Sequence, residues 1–143
     1  MGLTAVIDGL VAVEATIAPT GWGLAVYRWW EPHMQQPCVW NELSSSGRAE
    51  RPDQCTVEDF LRVDVVIVPP PAPDHGRDML LVEDVADAAC TALDSALQAA
   101  RPFSGALAAG RRLGLSTTVE RLGNEQLLAF RVPLELKLTR TYP

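Results

Sequence analysis

Between residues 4 and 18 the apolar positions Val6, Leu10, Val13 and Ile17 return at intervals of three and four, with Asp8 and Glu14 off that stripe. The spacing predicts an amphipathic helix of the mature chain, ended by "APTG" at 18–21. The pattern then changes. "LAVYRWW" at 24–30 is rich in aromatic and β-branched residues and predicts a strand. Pro32 and Pro37 bound a turn, and "CVWNEL" at 38–43 predicts a second, shorter strand. "SSSGRAERPD" at 44–53 has no apolar face to bury and predicts a projecting, mobile loop. Residues 56–68 predict a long strand, with Leu61, Val63, Val65 and Ile67 on one face and Arg62, Asp64, Val66 and Val68 on the other. The prolines from Pro69 onward stop it, because proline cannot donate to a ladder.

A helical period returns over 78–100, where Met79, Val82, Ala86, Ala89, Leu93 and Leu97 form the stripe and Glu83, Asp87 and Asp94 lie off it. Asp78 suits the N-cap, Arg101 suits the C-terminal dipole, and Pro102 ends the helix. "FSGALAAGRR" at 103–112 predicts a mobile small-residue linker. Residues 113–122 and 126–139 then flank a turn at Gly123–Asn124 and predict a terminal hairpin. In its second strand Phe130, Val132, Leu134, Leu136 and Leu138 alternate with Arg131, Pro133, Glu135, Lys137 and Thr139. The later strands have one apolar face each, and so do both helices. The expected fold is therefore α+β. It is a single domain over 1–143, a two-layer arrangement of a mainly antiparallel sheet of about five strands with two helices on one face.

Trp29 and Trp30 are adjacent, so a regular strand sends them to opposite faces. Alternation groups Trp30 with Leu24 and Val26, toward the helices, and Trp29 with Tyr27, on the open face. Val66 and Val68 lie on the polar face of their own strand, and Leu43, Trp40 and Met34 sit near polar loops. Apolar groups gathered on an open sheet face mark a partner surface; the plainer alternatives are a loop folded back over the ring and simple partial exposure.

Apolar residues make up 48% of the chain and charged residues 21%, as in ordinary globular proteins. The net charge of −6 argues against general nucleic-acid binding and against an anionic membrane surface. No apolar run is long enough to span a bilayer. Three cysteines, Cys38, Cys55 and Cys90, make an odd and widely spaced set, which fits a reducing compartment better than a disulfide scaffold. Neither His33 nor His75 lies beside a nucleophile with a third orienting group. A zinc site from His33, Cys38, Cys55 and His75 matches no standard spacing. The small-residue run near 105–114 lacks the Lys-Ser/Thr that completes a phosphate loop. The carboxylates Glu83, Asp84, Asp87 and Asp94 read either as a solvated helix face or as acid–base or metal ligands. Arg48 and Arg51 on the polar stretch would meet phosphate, an acidic partner, or only water. The reading is a non-enzymatic assembly protein with no cofactor and no metal.

The segments "FLRVDVVIV", "LLVEDVADAACTALDSALQAA" and "LLAFRVPLELKLTR", in this order after an N-terminal helix and a meander, resemble the tail terminator proteins of long-tailed, non-contractile bacteriophages, also called tail completion or minor tail proteins. The resemblance is one of pattern over nearly the whole chain, without a short motif that aligns binding residues. It implies a hexameric ring that caps the tail tube, stops its polymerisation and joins tail to head. Its partners would be tail tube and head connector proteins. DNA would pass through without sequence reading, and the protein would sit in the virion tail after assembly in the host cytoplasm. On that reading Tyr27, Trp29, Trp40, Arg48, Arg51, Val66 and Val68 are candidate interface residues. Glu83, Asp87 and Asp94 are candidates for the lumen or for plain solvent exposure. A head–tail connector or neck protein of the same fold, a bacterial toxin–antitoxin or other small interaction domain, and a small metal-dependent hydrolase remain as alternatives.

Overall fold

The computed structural model describes residues 3–17, 23–51, 56–70, 75–100, 102–105 and 107–141. Arg101, Cys55 and the stretch "APTG" at 18–21 lie outside them, and the first helix, expected to reach residue 18, ends at Glu14. The elements are α1 (Leu3–Glu14), β1 (Ala25–Trp29), β2 (Cys38–Arg51), β3 (Thr56–Val68), α2 (His75–Leu97), a 3₁₀ turn (Pro102–Gly105), β4 (Ala109–Arg112), β5 (Ser116–Leu122) and β6 (Glu125–Thr141). The α+β expectation holds. The six strands form one sheet in the order β1-β2-β3-β6-β4, with β5 also on β6.

The long ladder of β3 on β6 runs from Thr56↔Thr141 to Ile67↔Phe130. Its alternation decides the layers. Leu61, Val63, Val65, Ile67, Val132, Leu134, Leu136 and Leu138 share one face, and there they meet Val6, Ile7 and Leu10 of α1 and Ala86, Ala89, Leu93 and Leu97 of α2. Both helices therefore lie on one face, as the single stripe of each predicts. Two glycines allow close approaches in this layer. A Cβ on Gly9 would stand 2.6 Å from the Phe103 ring, and one on Gly110 would stand 2.9 Å from Leu97 Cδ2 and 3.1 Å from Leu136 Cδ2. Gly110 thus lets β4 slide in beside the end of α2.

Several expectations are corrected. The stretch 44–51 is the second half of β2, paired residue by residue with β3 from Ser45↔Arg62 to Arg51↔Thr56. Its polar side chains do not prevent this, because a ladder is held by backbone groups. The linker at 103–112 contains a 3₁₀ turn and strand β4, which supplies the sixth strand. α2 begins at His75, so Asp78 lies within its first turn and does not precede it. β1 is parallel to β2. That direction forces residues 30–37 back across the sheet before β2 can start.

Candidate assembly interface

The returning segment 30–37 crosses the face opposite the helices. It carries Met34 onto Cys38, Trp40, Val66 and Val68, and Leu122 and Ala129 of the β5–β6 hairpin complete a second apolar core. Trp40, Val66 and Val68 are fully buried inside the chain. They are not interface residues, because the loop cover outlined as the plainer alternative is what the chain uses. Tyr27 is half-buried against the same cluster. Burial also pushes the Cys38 thiol up to about 11, which leaves it protonated and inert at neutral pH. No group of three or more His, Cys, Asp or Glu side chains is arranged to hold a metal among the described residues; Cys55 and the side chain of His75 lie outside them.

Trp29 and Trp30, both exposed, exchange the faces that alternation assigns. Leu24 and Val26 face the helices, and Ala25 and Tyr27 face the outer core, as expected. A bulge between Val26 and Trp29 then shifts the register, so Trp29 stands opposite Asn41. Directly opposed residues share a face, and Asn41 points to the helix side, where its Nδ2 donates to Glu14 of α1. Trp29 therefore lies on the helix side, at the open edge, and remains 40% exposed. Trp30 follows the strand end, is 48% exposed, and lines an outer-face cleft of about 600 Å³ with Pro32, Glu42, Glu120, Arg121, Gly123 and Asn124. Neither ring is core.

Next to that cleft Arg131 gathers carboxylates from three other strands. Its Nε and Nη2 donate to Glu120 of β5, and its Nη1 donates to Glu42 of β2 at 2.7 Å and to Asp64 of β3 at 3.1 Å. Trp40 Nε1 donates to the other Glu42 oxygen at 3.1 Å. The guanidinium holds the Glu120 carboxyl below its usual range, and Glu120 in turn raises Arg131. This network ties β2, β3, β5 and β6 together across the outer face.

The remaining candidates separate. The backbones of Arg48 and Arg51 lie in β2, opposite Asp59 and Thr56; their side chains, and that of Glu83, lie outside the described residues. Asp87 is exposed. Asp94 is clamped by Arg112 of β4, with Nε to Oδ1 at 3.0 Å and Nη2 to Oδ2 at 3.1 Å. Both its oxygens are engaged, so it does not act with Asp87 as a free carboxylate pair.

What the periodicity did not reveal is the pair of sheet edges. On one side β1 pairs with β2 only as far as Asn41, and no described strand continues from Glu42 to Arg51. On the other side β4 and β5 follow each other along β6, covering Leu134–Lys137 and Glu125–Arg131, and pair with no further described strand. Exposed apolar side chains collect at both edges. Trp29 and Leu43 stand at the first, and Leu113, Leu115 and Val119 at the second, while Phe60 of β3 and Leu128 of β6 are exposed on strands inside the sheet. Compared with known proteins, the chain matches no family model and no curated sequence.

Proposed function

We propose that this chain is a structural subunit that assembles with copies of itself into a ring, in the role of a phage tail terminator. The ring, a hexamer in that family, would cap the tail tube, stop its growth and offer its other side to the head connector. One observation carries this reading: a single sheet ends in two unlike open edges on opposite sides. Unpaired edges invite pairing with another chain. When the two edges differ, copies join head to tail, and a head-to-tail contact closes into a ring or runs on as a filament. The net charge of −6 fits a lumen along which DNA slides without adhering, and exposed Asp87 on α2 is a candidate for that surface. The test is size-exclusion chromatography with light scattering, followed by negative-stain microscopy and a tube-capping assay with tail tube protein. The expected result is a closed ring of about six times 15.5 kDa that arrests tube growth. A monomer at all concentrations overturns the ring, and a ring that joins heads but leaves tube growth unchanged reassigns it to the neck.

A further inference from the structure

Resting on the ring reading above, we propose that the β1 edge of one copy pairs antiparallel with the β5 edge of the next, setting Trp29 of the first against Leu115 of the second and Leu24 against Val119.

Direction allows this pairing. β1 runs parallel to β2, β2 opposite to β3, β3 opposite to β6, and β6 opposite to β5. β1 and β5 therefore run in opposite directions within one chain. Copies that follow one another in a ring keep the same face and the same strand direction, so β1 of one meets β5 of the next as an antiparallel pair. Among the described strands, neither has a neighbour on its outer side. Each strand keeps its own place in the extended sheet, in the order β3-β2-β1 of one copy and then β5-β6-β3 of the next. Residues 42–51 of β2 are left out of the contact, held away from β4 of the next copy by the width of β1.

The rows match as well. Val26 stands opposite Val39, Val39 opposite Ile67, Ile67 opposite Phe130, and Phe130 opposite Thr117. With copies at one height, Val26 of one is level with Thr117 of the next. Two residues back along β1 and two residues on along β5, Leu24 comes level with Val119. In the other direction Trp29 leads through Asn41 and Val65 to Val132. Ser116 stands opposite Arg131, so Leu115 is level with Val132 and hence with Trp29. The bulge between Val26 and Trp29 supplies this match, because an unbroken β1 would bring Arg28 to that row.

The same side of the sheet carries both sets. Thr117 stands opposite Phe130 of the helix-side core. Leu115 and Val119, two residues to either side of Thr117, share that face, and Leu128 joins them opposite Val119. Leu24 and Val26 pack on the helix-side core, and Trp29 lies on its side too. Trp29, Leu115, Val119 and Leu128 are each at least 40% exposed. A free peptide would need only one edge. A second copy accounts for apolar groups on two opposite edges, in the same rows and on the same face. Pairing satisfies backbone donors and acceptors and covers these side chains together.

The experiment uses the full chain in two half-blocked forms, Trp29→Lys and Val119→Lys, with unchanged circular dichroism as the folding control. Ser46→Lys, in the part of β2 that the contact leaves free, controls for the added charge and is expected to assemble as the wild type does. Each half-blocked form alone is expected to lose self-assembly by about thirty-fold or more in affinity, the scale of a central interface anchor. Mixed together they are expected to form a discrete 1:1 dimer, since each retains the edge that the other needs. If either variant loses helix content, Trp29→Gln and Val119→Gln replace them. Wild-type rings with half-blocked forms that still assemble overturn this contact and leave the ring reading standing. So does a mixture that stays monomeric when each form alone has lost assembly, and so does an equal loss in Ser46→Lys. A wild-type monomer overturns both.

Discussion

Glu14 sits on α1 four residues after Leu10 and three before Ile17, and that spacing carries it under the sheet beside Asn41. It is fully buried. Asn41 Nδ2 donates to Glu14 Oε2 at 3.3 Å, while Glu14 Oε1 and Asn41 Oδ1 have no partner. Two buried oxygens are thus left without a donor, and a proton on the carboxyl supplies one. Burial raises the Glu14 pKa to about 8, the Asn41 bond opposing only part of that shift. The folded chain therefore holds a proton that the unfolded chain releases near 4.5. Because the folded state binds more protons between those values, the Glu14 contribution to stability is greatest below about 4.5, falls as pH rises, and levels off above about 8. Urea midpoints across that range should fall for the wild type and stay nearly flat for Glu14→Gln. A parallel fall in both proteins would place the titrating group elsewhere. This corrects the expectation that sets Glu14 off the apolar stripe: it lies at helical spacing from Leu10 and Ile17 and is buried with them. Its partner was not legible in the sequence, because Asn41 arrives from a strand whose face only the fold determines.

At the scale of elements, legibility follows the range of the forces that build each one. β3 is read end to end, because its alternation is local and its proline stop is explicit. The second half of β2 is not, because Ser44–Arg51 has no alternation of its own and owes its form to backbone pairing with β3. β4 has the same character, with Gly110 chosen for closeness and not for strand propensity. Replacing Gly110 by Val would press a branched side chain onto Leu97 and Leu136. It should cost about 1–3 kcal/mol, as overpacked cores do, and a chemical denaturation curve unchanged from wild type would refute the close approach. The outer ion network is equally non-local, joining residues as distant as Glu42 and Arg131. Arg131→Met strands three partly shielded carboxylates together and should cost about 2–3 kcal/mol at pH 7. The Glu120 share of that stability exists above its unfolded pKa and is lost as pH falls through its lowered folded value. The difference between wild type and variant should accordingly shrink in urea titrations at pH 3. An undiminished difference there would mean that the side chain acts by packing and not by charge.

For the whole molecule, charge and edges pull in opposite directions. Each copy carries −6, so bringing copies side by side raises their mutual repulsion. Pairing of open sheet edges rests on backbone hydrogen bonds and apolar contacts, and no ion pair is invoked within it. The Debye length falls from about 10 Å at 0.1 M salt to about 3 Å at 1 M. Added salt therefore screens the repulsion and leaves the short-range attraction intact, and apolar burial does not weaken under those conditions. Assembly should strengthen with ionic strength: the concentration at which light scattering first detects oligomers should drop several-fold between low salt and 0.5 M sodium chloride. The arginine-to-carboxylate pairs inside each copy will weaken slightly over the same range, which makes monomer melting the control. Were the ring instead closed by ion pairs between copies, such as Arg48 or Arg51 on an acidic neighbour, the same titration would dissolve it. Oligomers that vanish as salt rises, with monomer melting unchanged, would move the contact from the apolar edges to those arginines.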